Sequence, residues 1–530
     1  MVFCMISNIS FSNLLQSVKK NSIIKGTIIL TLTGFLTRIL GFYYRIFLTN
    51  LIGATQLGIY QLVLPVYIVV IAISTIGNEQ ALTKIISEYI PLNNPRLNQQ
   101  IFKICLGFCL VVSMLLSVCI YLNADMISTI LLKMPESSTC LKLLCLAIPS
   151  VSVKGCIHGY FLGYRISSVH GISDLFEQIF KILGVFLVAG YFIHSKYLDA
   201  TVAIWGLIVG EYASLFYSLI CFFRKENILR RNHFPISAPA KNTSVSYLKS
   251  ISVFCKNAVP MTMNRCAISV IQSIEAILIP MQLYFYYSNS SESLSVYGII
   301  MGISFPFIMF PATITNALST MLMPAVSQAS SANKERHLQN MIEQSIHFCL
   351  LIGVFSSILF FVFGKDIGIC FFHNKESGIY LNQLAFLCPL IYLSTTMASI
   401  LNGLGYAARN LVQTLLSTLI RIGFILFCVP TMGISGYITG LFVSYVFLAA
   451  ASTYKLNNEV TFQISICKSF LQPCFLFALN GILFSFAYKK SIIEFPGRKT
   501  TILFIVVCLY CFTSLLPMIK SIGKAFRQHR

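Results

Sequence analysis

Long apolar runs recur along almost the whole 530-residue chain, separated by short polar gaps. A helix needs about 20 apolar residues to cross the hydrocarbon layer of a bilayer. Inside that layer every backbone N–H and C=O must be satisfied within the protein, which leaves helices as the form for such runs. Counted between polar punctuation, they give about fourteen spans. These lie at 25–48, 58–86, 100–122, 139–162, 173–193, 200–223, 247–283, 296–324, 341–363, 379–404, 411–430, 434–454, 466–487 and 500–519. The run 247–283 is too long for one straight span, and Pro260 predicts a kink in it.

Composition supports the same class. Hydrophobic residues make up 56% of the chain and charged residues 10%, where a soluble domain carries about 25% charged. The chain reads as an all-α polytopic membrane protein. Its formal net charge of +21 does not indicate a nucleic-acid partner, because the basic residues sit mostly in the gaps between apolar runs rather than on a recognisable binding module. Most of the eighteen cysteines fall inside apolar runs, as Cys105, Cys109, Cys119 and Cys428 do. There free cysteine behaves as a small hydrophobe. The one CxxC, Cys508 to Cys511, lies in the last apolar run with no histidine or second pair nearby, so neither a metal nor a redox cofactor is expected.

The basic residues also set an expected topology. With the N-terminus inside and the spans alternating, Lys19, Lys20, Lys25, Arg96, Lys103, Arg165, Lys334, Arg336, Arg409, Lys455 and the tail Lys520, Lys524, Arg527 and Arg530 are cytoplasmic. So is the segment 224–246, with Arg224, Lys225, Arg230, Arg231 and Lys241. The outside segments hold fewer, and the cluster Lys489, Lys490, Arg498 and Lys499 fits this scheme least well. Both termini are expected in the cytoplasm, with the N-terminal segment an uncleaved first span.

Internal repetition divides the chain. Gly-Ile-Tyr60 and Ala81-Leu-Thr are answered by Ser-Val-Tyr297 and Ala317-Leu-Ser. Pro149 and Leu162-Gly-Tyr164 are answered by Pro389 and Leu404-Gly-Tyr406. Lys181 and Gly184 are answered by Arg421 and Gly423, and Gly206-x3-Gly210 by Gly436-x3-Gly440. The matches run in the same order, about 230–240 residues apart, as a parallel transporter repeat requires. The expected organisation is an N-terminal lobe of six spans at 1–223, a basic cytoplasmic linker at 224–246, a second six-span lobe at 247–456, and two further helices with a basic tail at 457–530. Duplicated lobes of this kind suggest a transporter whose substrate path lies near the bilayer midplane and whose access alternates.

Ionisable residues within spans mark paths or partners by default, since each costs about 2.5–3.5 kcal/mol on insertion scales. Arg38 and Arg45 are seven residues apart and share one helix face, about 10 Å from each other. Arg38 falls near mid-bilayer and must face protein or water; Arg45 is either a second ligand or an outer-leaflet anchor that snorkels. With Lys154 and Arg265 they form a candidate positive cavity. Guanidinium forks match phosphate oxygens, so the natural guest is an anionic, membrane-resident substrate. Glu79, Glu211 and Glu275 are candidate coupling or structural acids, and Arg265 with Glu275 could form an internal pair. Lys181 and Arg421 have a structural reading, and His158, beside Gly155 and Gly159, reads as a packed histidine.

The stretch Thr37-Arg38-Ile-Leu-Gly41-Phe-Tyr-Tyr-Arg45, with Ile52-Gly53, Gly58-Ile-Tyr60, Pro65 and Tyr67, resembles the opening of the stage V sporulation protein B family. So does Gly77-x3-Ala81-Leu-x-Lys84-x2-Ser87-Glu88. That family belongs to the polysaccharide transporter group of the multidrug/oligosaccharidyl-lipid/polysaccharide superfamily and is related to lipid II flippases. The resemblance is specific over roughly the first 90 residues and rests elsewhere on the spans and repeats. It implies a MATE-like fold and a polyprenyl-pyrophosphate-linked oligosaccharide carried to the outer leaflet of the bacterial cell membrane. It implies that Arg38 and Arg45 meet the pyrophosphate, while Lys154 and Arg265 have no motif behind them. It further implies that the last two helices form a groove for the polyprenyl tail. No cofactor is implied; membrane potential or a sodium or proton gradient would drive transport, with Glu79 and Glu211 as the acids to test. Membrane lipids and the cell-wall synthesis machinery are the implied partners. Drug or metabolite antiport is the nearest rival, followed by a membrane glycosyltransferase or polymerase and a scaffold without transport. The short loops, lacking acidic pairs and a phosphate cradle, argue against an enzyme.

Overall fold

The computed structural model describes residues 22–89, 95–164, 166–191, 199–225, 247–331, 335–462, 467–494 and 499–527. Lys19, Lys20 and nearly all of the expected linker 224–246 lie outside these residues. Every regular element among them is helical. Eleven helices are long and apolar enough to cross a membrane. The expected span 58–86 and all of 25–48 from Leu32 onward fall within one composite apolar stretch, Leu32–Ser87. Helix Ser168–Tyr191 is also long enough to cross but is not among the eleven, because Asp174, Glu177 and Lys181 interrupt its apolar character. The outward faces carry large apolar side chains, with Leu122 74% and Phe427 79% exposed, which suits a lipid solvent.

The chain forms two compact units. The first comprises the described residues up to Tyr44 together with Leu51–Ile277; the second comprises Arg45–Asn50 and everything from Leu278 onward. In the first unit α1 (Ser22–Ile71) is broken at Gly53, whose φ of 76° suits a residue without a Cβ. A π-helical turn, Ala72–Ile76, leads into α2 (Gly77–Tyr89). Then come α3 (Pro95–Met126), α4 (Ser137–Leu144), α5 (Ala147–Gly163), α6 (Ser168–Tyr191), α7 (Thr201–Phe223) and α8 (Tyr247–Tyr287). The expected span 139–162 corresponds to α4 and α5 together, one apolar stretch from Ser137 to Gly163. Helix α8 runs through Pro260 for 41 residues.

The second unit holds α9 (Ser290–Tyr297), α10 (Ala312–Ser331), α11 (Glu335–Phe372), α12 (Lys375–Leu384), α13 (Cys388–Gly403), α14 (Ala407–Phe427) and α15 (Ile434–Glu459). It ends with α16 (Gln472–Glu494) and α17 (Lys499–Arg527). These last two helices pack on α11. Phe355 stacks on Tyr510 with centroids 5.5 Å apart and meets Phe477 edge-on at 5.8 Å. Beside them α11 and α16 bound an apolar crevice of about 230 Å³, lined by Phe361, Val362, Ile482, Ser485, Phe486 and Lys489.

Without a hydrophobic force between helices in lipid, close packing depends on small residues at the crossings. On α5, Gly155, Gly159 and Gly163 form one stripe facing the π-turn and α2. A methyl group added to them would stand 2.3 Å from Thr75 Cγ2, 2.8 Å from the Glu79 carbonyl oxygen and 2.7 Å from Ile86 Cβ, respectively. On α7, Gly206 and Gly210 bring α6 equally close, at the carbonyl oxygens of Lys181 (2.9 Å) and Glu177 (2.7 Å).

The second unit repeats the α2–α5 part of this scheme at equivalent positions. A methyl group added to Gly403, 240 positions after Gly163, would stand 2.6 Å from the Met323 carbonyl oxygen and 3.1 Å from Val326 Cβ. Gly163 approaches the Thr83 carbonyl and Ile86, each 240 positions earlier than those partners. Ser399 donates to the Ser319 carbonyl, where the first unit sets Gly159 against the Glu79 carbonyl. A methyl group added to Gly440 of α15 would stand 2.6 Å from Phe424 Cβ of α14, so that crossing is also close but uses other positions than Gly210 does. The repeats at 163 and 403 therefore mark one helix crossing built twice.

This packing sets a test. Gly159→Leu forces side-chain atoms onto the α2 backbone, and overpacking of that kind costs about 1–3 kcal/mol. Its unfolding midpoint in detergent should fall by several degrees, whereas Gly107→Leu, with nothing within 4 Å, should leave it unchanged. Equal midpoints for the two variants would refute this view of the α2–α5 contact.

Candidate functional site

A polar constellation lies inside the first unit, where four elements converge. Lys154 of α5 donates to Glu177 Oε2 of α6 at 2.8 Å and to Glu211 Oε2 of α7 at 2.5 Å. The Lys154 and Glu211 side chains are each 9% exposed and Glu177 is 22% exposed. One cation between two carboxylates leaves this triad with a net negative charge when all three are ionised. Such a group is tolerable in a low-dielectric interior only while every member is paired. The buried Tyr67 hydroxyl of α1, unpartnered among the described residues, lies within range of the Glu211 and Glu177 charges.

A second group of side chains adjoins the triad. His158, one turn along α5 from Lys154, is buried; its Nδ1 lies 2.9 Å from His170 Nδ1 and its Nε2 lies 3.2 Å from Ser218 Oγ. His170 Nε2 faces Asp174 Oδ2 at 3.8 Å. Glu79 of α2 comes within 4.8 Å of both imidazoles and is also within reach of the charges of Lys154 and Arg265. Serines 173, 214 and 218 close the cluster with hydroxyl contacts of 2.7 and 3.0 Å.

The expected site residues thus separate. Lys154, expected to line a positive cavity, is paired with two carboxylates in an ion triad. Glu211 and Glu79 join Lys154 in one region, as the first group's acids and the second group's carboxylate. Arg265 is half-buried on α8 and Glu275 is buried on the same helix. Arg38 is exposed on α1. Arg45 packs in the second unit instead, donating to the Gly302 carbonyl at 3.0 Å. Gly302 sits in a π-helical turn, Gly298–Ser304, where the i→i+5 pattern disturbs the usual carbonyl pairing. The cations at Lys181 and Arg421 each lie over a tyrosine ring, Tyr44 at 4.8 Å and Tyr445 at 5.7 Å, in keeping with a structural role.

Asp174, Glu177 and His170 were not among the expected site residues, yet a signal for them exists. His170, Asp174, Glu177 and Lys181 are spaced four, three and four apart, which places them on one face of an amphipathic helix. That face of α6 is the one turned to α5 and α7.

The second unit lacks this chemistry. At the positions 240 residues after Glu79, Lys154, His158, His170, Asp174 and Glu177 stand Ser319, Ser394, Ala398, Asn410, Thr414 and Ser417. At the position 230 residues after Glu211 stands Leu441. The shared crossings therefore form without any of the charges. The constellation is an addition to the packing scheme rather than a requirement of it.

Removing Lys154 alone would leave two buried carboxylates together, and breaking a buried pair costs about 3–5 kcal/mol. Lys154→Met should lower the unfolding midpoint sharply, and adding Glu177→Gln with Glu211→Gln should recover most of the loss. A single variant as stable as the parent would show that the triad is not formed.

Comparisons with known proteins bear on the whole chain. Residues 23–284 match the family described as polysaccharide biosynthesis protein, and residues 260–427 match the MatE family. Stage V sporulation protein B of Bacillus subtilis (strain 168) is 25% identical over 450 residues, covering 84% of this chain and 86% of that one. Lipid II flippase MurJ of the same organism is 22% identical over 456 residues, covering 80% and 81%. Among solved structures, that of lipid II flippase MurJ in an inward closed conformation aligns with a TM-score of 0.65 at 11% identity, covering 93% of this chain and 99% of that one. An inward-facing multidrug resistance MATE family transporter aligns at 0.60 with 13% identity, covering 80% and 95%.

Proposed function

This chain belongs to the multidrug/oligosaccharidyl-lipid/polysaccharide flippase superfamily and is a multi-pass membrane transporter, and from that premise we propose that it carries a polyprenyl-pyrophosphate-linked cell-wall precursor to the outer leaflet by alternating access. The substrate class is that of lipid II or a related lipid-linked oligosaccharide, used in peptidoglycan, spore-cortex or polysaccharide synthesis.

The observation that carries this reading is Arg38. It stands in the middle of an apolar helix and is exposed. An arginine at that depth is costly in hydrocarbon, and an exposed guanidinium there is within reach of an anion carried in the membrane. A pyrophosphate supplies the oxygens that a guanidinium fork pairs with bidentately. Arg45, already engaged with the Gly302 carbonyl, is the weaker ligand candidate. The apolar crevice between α11 and α16 has the chemistry to take a segment of the polyprenyl tail. Membrane potential or a sodium or proton gradient would drive the cycle, with Glu211 and Glu79 as the acids that respond to it. Both termini are placed in the cytoplasm of a bacterial cell, next to the cell-wall machinery that supplies and consumes the lipid.

The acid-rich constellation of the first unit is the observation that favours a second reading, antiport of a cationic drug or metabolite. One assay separates the two. In proteoliposomes with a labelled lipid-pyrophosphate sugar, the parent chain should flip the lipid and Arg38→Ala should slow it about tenfold or more, the worth of one charge-assisted pair. A normally inserted Arg38→Ala chain flipping at the parental rate, or a parent that moves cationic dyes and not the lipid, would overturn the proposal.

A further inference from the structure

The histidine pair of the first unit gathers nitrogen and oxygen ligands at one point. His158 Nδ1 and His170 Nδ1 lie 2.9 Å apart, with the Glu79 carboxylate within 4.8 Å of both rings. On their far sides, His158 Nε2 has Ser218 Oγ at 3.2 Å and His170 Nε2 has the Asp174 carboxylate at 3.8 Å. With a proton on one Nδ1 the two rings share an N–H···N hydrogen bond. With each ring's proton on Nε2, toward those outer partners, two lone pairs and a carboxylate converge on one space. The second arrangement repels itself unless a cation lies among the three groups.

We propose that Glu79, His158 and His170 bind a divalent transition-metal ion of the zinc class. Imidazole nitrogens select such ions over the hard cations calcium and magnesium. Tetrahedral zinc with bonds of about 2.0–2.1 Å holds two nitrogens about 3.3 Å apart. The observed 2.9 Å needs only a slight opening of the pair. The outer partners are those that metal-bound histidines require: a hydroxyl on His158 and a carboxylate on His170, each fixing the tautomer. His170, Glu79 and Asp174 are partly exposed, so an ion has a way in, and three protein ligands leave one position for water. The bound ion would tie α2, α5 and α6 together and neutralise Glu79.

Repeat symmetry sharpens the assignment. The second unit holds Ser319, Ala398 and Asn410 at the three ligand positions, so its helices cross as they do in the first unit with no ligand present. A rival soft-ion site, the buried thiols of Cys105, Cys109 and Cys156 at 3.6 to 4.0 Å, fares worse by the same comparison. Its counterparts are Ser345, Cys349 and Thr396, small side chains that fill the same space. Packing accounts for those sulfurs.

The test uses the full chain in nanodiscs, stripped with a chelator and titrated with Zn²⁺, or with Co²⁺ as a spectroscopic probe. The parent should take up about one equivalent, with the absorption of nitrogen- and oxygen-ligated cobalt and no sulfur-to-cobalt charge-transfer band. His170→Asn and Glu79→Ser, which introduce the second unit's own side chains, should abolish uptake while keeping the parental unfolding midpoint in the absence of metal. Asp174→Asn and Ser218→Ala should weaken affinity by about 10–100-fold. Cys156→Ser should change nothing. The proposal fails if the parent binds no metal, so that a shared proton alone occupies the pair. It fails equally if binding persists in both His170→Asn and Glu79→Ser, or is lost in Cys156→Ser.

Discussion

Lys154 joins three helices through two carboxylates, and the polar interior of the first unit is organised around it. In lipid, a helix carrying Asp174, Glu177 and Lys181 has no solvent for those charges on its outer face. They must turn inward and find partners. The helix rotations that let Lys154 reach both acids also bring His170 to His158 and both rings to Glu79. The glycines at 155, 159, 206 and 210 let the backbones come close enough for these side chains to meet.

The two units share one packing scheme and differ in what they place inside it. Gly163 and Gly403 touch equivalent partners 240 positions apart, and so do the pairs 79–159 and 319–399. Since serine, alanine, asparagine, threonine and leucine serve in the second unit where lysine, histidine and acids stand in the first, the charges are not there to hold helices together. Buried charge is expensive, and its restriction to one of two structurally matched units is the signature of a task assigned to that unit. Arg38 and Arg45 divide in a similar way: the first stays exposed, and the second serves a backbone carbonyl in a π-helical turn.

Much of this was legible in the sequence. The helical class, the repeat and the expensive residues Arg38, Arg45, Lys154, Glu79 and Glu211 follow from apolar run length, collinear matches and the cost of charge in lipid. The pairing was not legible. Lys154 and Glu211 are 57 residues apart on different helices, and whether two such groups meet depends on helix rotations that only packing decides. Hence Lys154 read as a free cation, when it is the counter-ion of two acids. His158 is buried and hydrogen-bonded, as a packed histidine is, but its contact with His170, across a turn on the next helix, was not legible. The stripe His170, Asp174, Glu177 and Lys181 was readable at helical spacing, and it was the missing half of the site. The break in α1 at Gly53, where a positive φ favours a glycine, was not read from the sequence.

The central claim is that the charges of the first unit are functional additions to a packing scheme that stands without them. It is tested most directly by giving that unit the second unit's neutral side chains at once, Glu79→Ser, Lys154→Ser, Glu177→Ser and Glu211→Leu in a single chain. Its membrane insertion and unfolding midpoint should stay close to the parental values while gradient-driven lipid translocation in proteoliposomes is lost. A chain that still transports, or one that no longer folds, would contradict the claim.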